Sequence, residues 1–162
     1  AVLWANEKGI TTGTDATHFS PTNDCNRAQV VTFLWRAFGS QEPTSTENPF
    51  DDVKEGDYFY KAVLWANEKG ITTGTDATHF SPTKSCNRAQ VVTFLYRASG
   101  SPEVATTENP FTDLDATGYY VNAVLWANAK GITTGTDATT FNPTGICNRA
   151  QVVTFLYRAK AK

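Results

Sequence analysis

The ten residues CNRAQVVTFL run from Cys25 to Leu34, return from Cys86 to Leu95, and return again from Cys147 to Leu156. The spacing is strict, since Arg27, Arg88 and Arg149 lie 61 positions apart and so do Trp4, Trp65 and Trp126. Self-similarity at one period makes the chain an array of three units. A unit of this length has a thin core alone, which predicts three units sharing one core rather than three beads. The first residues of the stretch read as a helix start. Asn26 can cap, Gln29 stands where it returns a hydrogen bond to the cap's own backbone, and Cys25 and Val30 are placed as a hydrophobic staple. Val30, Val31, Phe33, Leu34 and Ala37 then supply the buried stripe of a helix that ends near Gly39 or Gly100.

Upstream of this stretch lies a second helical pattern. Residues 57–69 and 118–130 place Tyr58, Ala62, Trp65 and Ala66 on one face, widened by Val63 and Leu64. A helix apolar over so much of its circumference is expected at the centre of the fold. Lys69-Gly70-Ile71 and its equivalents mark its end, with a cation in the last turn and a glycine where the chain turns left-handed. A turn-rich loop, ITTGTDAT followed by Phe-x-Pro, joins the two helices, with room for a short bridge of strand. In GTDAT, Asp15, Asp76 and Asp137 are expected to form side-chain turns.

Repeats two and three open with a leader, ENPFDDVKEGDYFYK and ENPFTDLDATGYYVN, in which Asn-Pro discourages helix and Phe50 or Phe111 offers an apolar anchor. The polar connectors SQEPTSTEN and SPEVATTEN run between units over the surface. The repeats are therefore bounded at 1–39, 48–100 and 109–162, as one structural domain. Ala1–Ile10 match Ala62–Ile71 inside repeat two, so they are no signal peptide. The chain is expected to be a piece of a longer protein, with the first helix of repeat one about two turns short and the groove that depends on its leader the weakest.

Composition narrows the function classes. No apolar run approaches the roughly 18 residues of a membrane helix, and a formal net charge of -2 with mixed signs gives no electrostatic reason for a nucleic-acid partner. Three cysteines at one repeat position do not form a disulfide framework, and with only His18 and His79 available no metal set is implied. A small buried apolar residue is the plain reading of each. Aspartates and glutamates recur without the carboxylate pair that glycosidases need, so no catalysis is expected.

The order Phe-x-Asp-Val, aromatic pair, AVLWA, Lys-Gly-Ile, Thr-Gly, Phe-x-Pro and a capped Arg-Ala-Gln helix resembles the S-layer homology domain family of bacterial surface proteins over nearly the whole chain. That resemblance implies a mainly α fold. Three helix-loop-helix repeats would form a pseudo-threefold, trimeric-prong arrangement around a central three-helix bundle, first helices inside and second helices as prongs. It further implies a non-catalytic cell-wall anchor, extracellular and attached to a larger surface protein. Secondary cell-wall polysaccharide or another envelope glycan, such as one ending in a pyruvylated or otherwise anionic sugar, would lie in grooves between repeats. No cofactor is implied. A protein-interaction or assembly module of the bacterial surface is the alternative. The family's Thr-Arg-Ala-Glu is here Asn-Arg-Ala-Gln, which keeps the capping box and removes a negative charge.

Several residue types suit such a ligand. Arg27, Arg88 and Arg149 sit in the first turn of a helix, where free backbone donors and the positive dipole end favour an anion and the guanidinium fork fits a carboxylate. An exposed arginine there would contribute little to folding. Gly13, Gly74 and Gly135 would let a sugar approach the backbone, and Gln29, Gln90 and Gln151 share the same helix turn. Trp65 and Trp126 offer indoles, although their apolar surroundings favour the core over a sugar-stacking role.

Overall fold

The computed structural model describes all residues except 105, 107 and 162. Six helices appear among them: α1 (Val2–Glu7), α2 (Arg27–Ala37), α3 (Tyr60–Glu68), α4 (Arg88–Ala98), α5 (Val121–Ala129) and α6 (Arg149–Lys160). Each repeat contributes a first and a second helix, so the mainly α class and the helix-loop-helix repeat are as expected.

The second helices begin where the sequence places them. Asn26, Asn87 and Asn148 cap α2, α4 and α6 in extended backbone, and each makes both bonds of a capping box with its glutamine. A cap of this kind stabilises by about 1 kcal/mol. The first helices begin later than expected, at Tyr60 and Val121 rather than 57 and 118. Asp57 explains the delay: its carboxylate accepts from the Lys54 N–H and its carbonyl from the Tyr60 N–H, closing a turn that leaves Tyr58 and Phe59 ahead of the helix. Tyr58 is consequently exposed rather than on the buried face.

The assignment of helices to centre and periphery is reversed from the expectation. α2, α4 and α6 pack against one another, while α3 lies on α2, α5 on α4 and α1 on α6. Backbone pairing just ahead of the second helices accounts for this. The Cys25 N–H donates to the Cys147 carbonyl (2.9 Å), that of Cys86 to Cys25 (3.0 Å) and that of Cys147 to Cys86 (3.0 Å), a closed ring of three bonds. Three isolated antiparallel bridges, Asp24 with Asn148, Asn26 with Ser85 and Asn87 with Ile146, flank it. The ring gathers the three second helices at one point, and their valine, phenylalanine and leucine stripes pack from there. The wide apolar surface of the first helix is used on two sides instead: one side meets a second helix, and the other carries Leu64, which the segment around Ser45–Pro49 borders.

One hydrophobic cluster runs through all three repeats, from Ala5 and Ile10 to Phe155 and Leu156. The cysteines are fully buried and unpaired within it. Burial pushes each thiol up to about 12, so they stay neutral and behave as small apolar residues.

Candidate functional site

The N-terminal turns of the second helices do not present free backbone donors. The Arg27 N–H donates to the Lys84 carbonyl (2.9 Å) and the Ala28 N–H to Pro82 (3.0 Å); Arg88 and Ala89 reach Gly145 and Pro143, and Arg149 and Ala150 reach Asn23 and Pro21. Each repeat's helix start is thus completed by the loop of the next repeat, the third closing on the first. Backbone donors expected to greet an anion are already occupied.

The arginines differ from expectation in the same way. Arg27, Arg88 and Arg149 are 2%, 4% and 2% exposed, not solvated. Arg27 Nε donates to the Phe80 carbonyl at 2.7 Å and Nη2 reaches Thr72 Oγ1 at 3.4 Å. Arg88 repeats this on Phe141 and Thr133, and Arg149 on Phe19 and Thr11. Two rings flank each guanidinium: Arg27 Cζ lies 4.8 Å from the Phe80 centroid and 5.4 Å from that of Phe94. A planar, weakly hydrated cation suits such a slot where a lysine ammonium would not.

The electrostatics of these side chains stand apart from ordinary buried ion pairs. Among the described residues no carboxylate forms a salt bridge with any of the three. Asp52 and Asp113 lie within electrostatic reach of Arg27 and Arg88, but their oxygens accept from the backbone N–H groups of Phe80, Ser81, Phe141 and Asn142. Burial lowers the pKa of all three arginines, yet a guanidinium keeps its proton throughout the working range. Each is therefore a fixed positive charge with donors to spare, since a guanidinium has about five N–H donors and the protein engages Nε and Nη2.

Arg88 opens onto a cleft of about 320 Å³ between repeats two and three, lined among others by Thr133, Gly135, Asn148, Gln151 and Arg158. Arginine, glycine and glutamine, singled out separately in the sequence, meet in this one groove. The Gln151 carbonyl oxygen accepts from the Asn148 N–H, so its amide nitrogen is left with two donors for the groove. Cyclic repetition of the arginine contacts places Arg27 with Gly74 and Gln90, and Arg149 with Gly13 and Gln29, in equivalent positions.

One groove element escaped the sequence reading. Arg36, Arg97 and Arg158 stand in the last turns of the second helices and donate Nη1 to the carbonyls of Ile10, Ile71 and Ile132 at 3.1, 3.0 and 3.1 Å. Their recurrence at one place in every copy was the available signal. Tyr58 is within electrostatic reach of Arg149 and Arg36, and Tyr119 of Arg97 and Arg27. Both rings are exposed, while desolvation near the hydroxyls raises their pKa. The lining of the Arg88 cleft contains no tyrosine.

Other expected site residues serve the fold. Trp65 and Trp126 are buried, with ring centroids 6.3 Å from Phe38 and 5.5 Å from Tyr96, so neither indole face is free to stack on a sugar. Gly135 has φ +85, and a Cβ there would lie 2.5 Å from the Thr140 carbonyl oxygen and 2.7 Å from the Phe111 ring; the turn and the leader require the glycine. Asp15, Asp76 and Asp137 accept from backbone N–H groups two residues on, the expected side-chain turns. Among the described residues no group of three or more His, Cys, Asp or Glu could hold a metal ion.

The sequence profile of the S-layer homology domain matches residues 1–31, 49–92 and 110–153. The chain belongs to the S-layer homology family. Membership places it at the bacterial cell surface and cell wall. An endoglucanase of Bacillus sp. (strain KSM-635) is 39% identical over 92 residues, covering 57% of this chain and 10% of that protein. The cellulosome-anchoring protein of Acetivibrio thermocellus is 25% identical over 150 residues, covering 87% of this chain and 33% of the relative. The surface-layer 125 kDa protein of Lysinibacillus sphaericus is 28% identical over 92 residues, covering 57% and 8%. This S-layer homology chain thus spans a third or less of these relatives, and their names describe much longer proteins. No helix among the described residues is long and apolar enough to cross a membrane.

Proposed function

We propose that this S-layer homology module anchors a larger protein to the cell wall by binding an acidic envelope glycan in the grooves between repeats. The repeats at 1–39, 48–100 and 109–162 act together, because each groove takes its arginine from one repeat and its wall from the next. One observation carries the reading: Arg27, Arg88 and Arg149 are buried cations to which no carboxylate is salt-bridged among the described residues. Charge held at a groove floor without a protein counter-ion is a site for an anionic group, and a carboxylate on a sugar matches the remaining guanidinium donors. Arg158 and the amide of Gln151 add donors around it, and hydroxyls of Thr133 and Thr154 suit a sugar ring.

Co-sedimentation with purified sacculi tests this on the unaltered protein. Sacculi carrying their secondary polymer should retain the module, and sacculi whose polymer has been amidated at its carboxylates should release it. Equal retention on both would contradict a role for the acidic group.

A further inference from the structure

A second cation stands beside each buried one. Arg88 Nη2 reaches Thr133 Oγ1 at 3.4 Å, and Arg158 Nη1 donates to the Ile132 carbonyl at 3.1 Å. These anchors are consecutive residues, whose Cα atoms lie about 3.8 Å apart, and both guanidiniums line the same cleft. The pairing recurs around the molecule, with Arg27 on Thr72 beside Arg97 on Ile71, and Arg149 on Thr11 beside Arg36 on Ile10. A phenol marks the same proximity independently. Tyr119 is within electrostatic reach of both Arg27 and Arg97, and Tyr58 of both Arg149 and Arg36.

The two members of a pair are engaged differently. The buried arginine of the cleft floor uses its Nε and Nη2 on the protein, whereas among the described residues the protein engages only Nη1 of Arg158 at the rim. Nε and Nη2 of Arg158 form one edge of the guanidinium, and two parallel donors on one edge fit the two oxygens of a carboxylate or a phosphate. Like charges held this close repel, and the repulsion grows as water is excluded from a cleft. Among the described residues no salt bridge relieves it at Arg36, Arg97 or Arg158. Asp113 faces Arg88 from the leader, but its oxygens are held by the Phe141 and Asn142 N–H groups. One acidic group on a ligand balances the floor charge and leaves the rim charge beside it. Two balance the pair.

We propose, resting on the glycan-binding role above, that each groove takes two neighbouring acidic groups of the glycan at once. The floor arginine, Arg27, Arg88 or Arg149, holds a carboxylate. The rim arginine, Arg97, Arg158 or Arg36 respectively, holds a second pair of anionic oxygens on its open edge. That second group is a further carboxylate of the same terminus or a phosphodiester of the polymer, since both present two oxygens to the guanidinium. The rim arginine thereby selects doubly acidic termini over singly acidic ones and over neutral sugars, which leave the pair unbalanced.

The test titrates purified secondary polymer into the labelled intact protein while following the Nε–Hε resonances of both arginine sets. Floor and rim resonances should move together along one saturation curve. Phosphorus resonances of the polymer that shift along the same curve identify a phosphodiester at the rim, and unmoved ones identify a second carboxylate. A variant carrying Arg36→Gln, Arg97→Gln and Arg158→Gln keeps an amide donor for each isoleucine carbonyl and loses the charge. Its affinity for the polymer should fall about tenfold or more and depend less on salt. The variant carrying Arg36→Lys, Arg97→Lys and Arg158→Lys should lose less affinity and keep the salt dependence. Floor resonances that move while the rim ones stay in place would overturn the two-acid proposal and leave the anchoring role standing. So would lysine and glutamine variants equally weakened with salt dependence unchanged in both, since the rim arginine would then serve only the carbonyl. Floor resonances that do not move at all with the polymer would overturn the glycan-binding role, and the proposal with it.

Discussion

Ala1–Thr22 and Ala62–Thr83 are identical letter for letter, yet they occupy different environments. Their local geometry agrees closely: Gly9 and Gly70 have φ 67 and 65, Gly13 and Gly74 have φ 90 and 89, and the Thr14 and Thr75 N–H groups reach His18 and His79 carbonyls at 2.7 Å. Burial does not agree. Leu3 is 78% exposed and Leu64 4%. Turns and helix ends are set by neighbours in sequence, whereas the energetic weight of a side chain is set by what packs over it. Here that cover is the leader, which supplies Phe50, Asp52 and Val53 to repeat two.

The sharpest way to break this contrast is to uncover the second copy. Phe50→Ala should cost about 4 kcal/mol by removing a buried ring, read as a fall in the urea midpoint, and should turn Phe80 into a half-buried residue like Phe19. A loss under about 1 kcal/mol would mean that the leader is not part of the core. Arg88→Ala should cost about 3 kcal/mol, because it strands the Phe141 carbonyl and empties the slot between two rings. Leu64→Ala should cost about 2.5 kcal/mol and Leu3→Ala less than about 0.5 kcal/mol. Equal values for this pair, measured by denaturant melts, would refute the argument from cover outright.

The smallest expected effect is electrostatic. The Asp76 side chain, through its hydrogen bond and then its charge, raises the His79 pKa above the ordinary imidazole value, with Asp52 and Asp51 of the leader adding to it. Backbone N–H donation from Thr78 lowers the Asp76 pKa. The imidazolium's contribution to stability is full below the unfolded histidine pKa and fades as pH rises through the folded one. The carboxylate's is present above the unfolded aspartate pKa and is lost as pH falls through the lowered one. NMR titration should find the His79 midpoint displaced upward, and Asp52→Asn should reduce the displacement. A midpoint untouched by Asp52→Asn would show that the leader's charge does not reach the loop.

Much of the fold was legible because its signals are local. CNRAQVVTFL announces its capping box and stripe, and Lys-Gly-Ile announces the first helix's end. Which helix lies at the centre was not legible, since both are broadly apolar and the choice is made by the cysteine backbone ring between residues 61 positions apart. The site was read in part. Arginine, glycine and glutamine do share a groove, but the arginine looked like an exposed first-turn residue because its Phe80, Phe141 or Phe19 carbonyl partner comes from another repeat. Trp65 and Trp126 belong to the core because Phe38 and Tyr96, likewise from the repeat before, cover them. Arg36, Arg97 and Arg158 were passed over, being unremarked cations until the Ile10, Ile71 and Ile132 carbonyls brought them to the groove rim.

The claim that rests on all of this is that three buried guanidiniums, without a salt bridge among the described residues, receive an acidic group from a wall glycan. Titrating purified secondary polymer into labelled protein while following the Nε–Hε resonances of Arg27, Arg88 and Arg149 addresses it directly. The account predicts that these resonances move with the native polymer and stay in place with the same polymer amidated at its carboxylates. Binding that leaves all three unmoved, or moves them equally with both polymers, would contradict it.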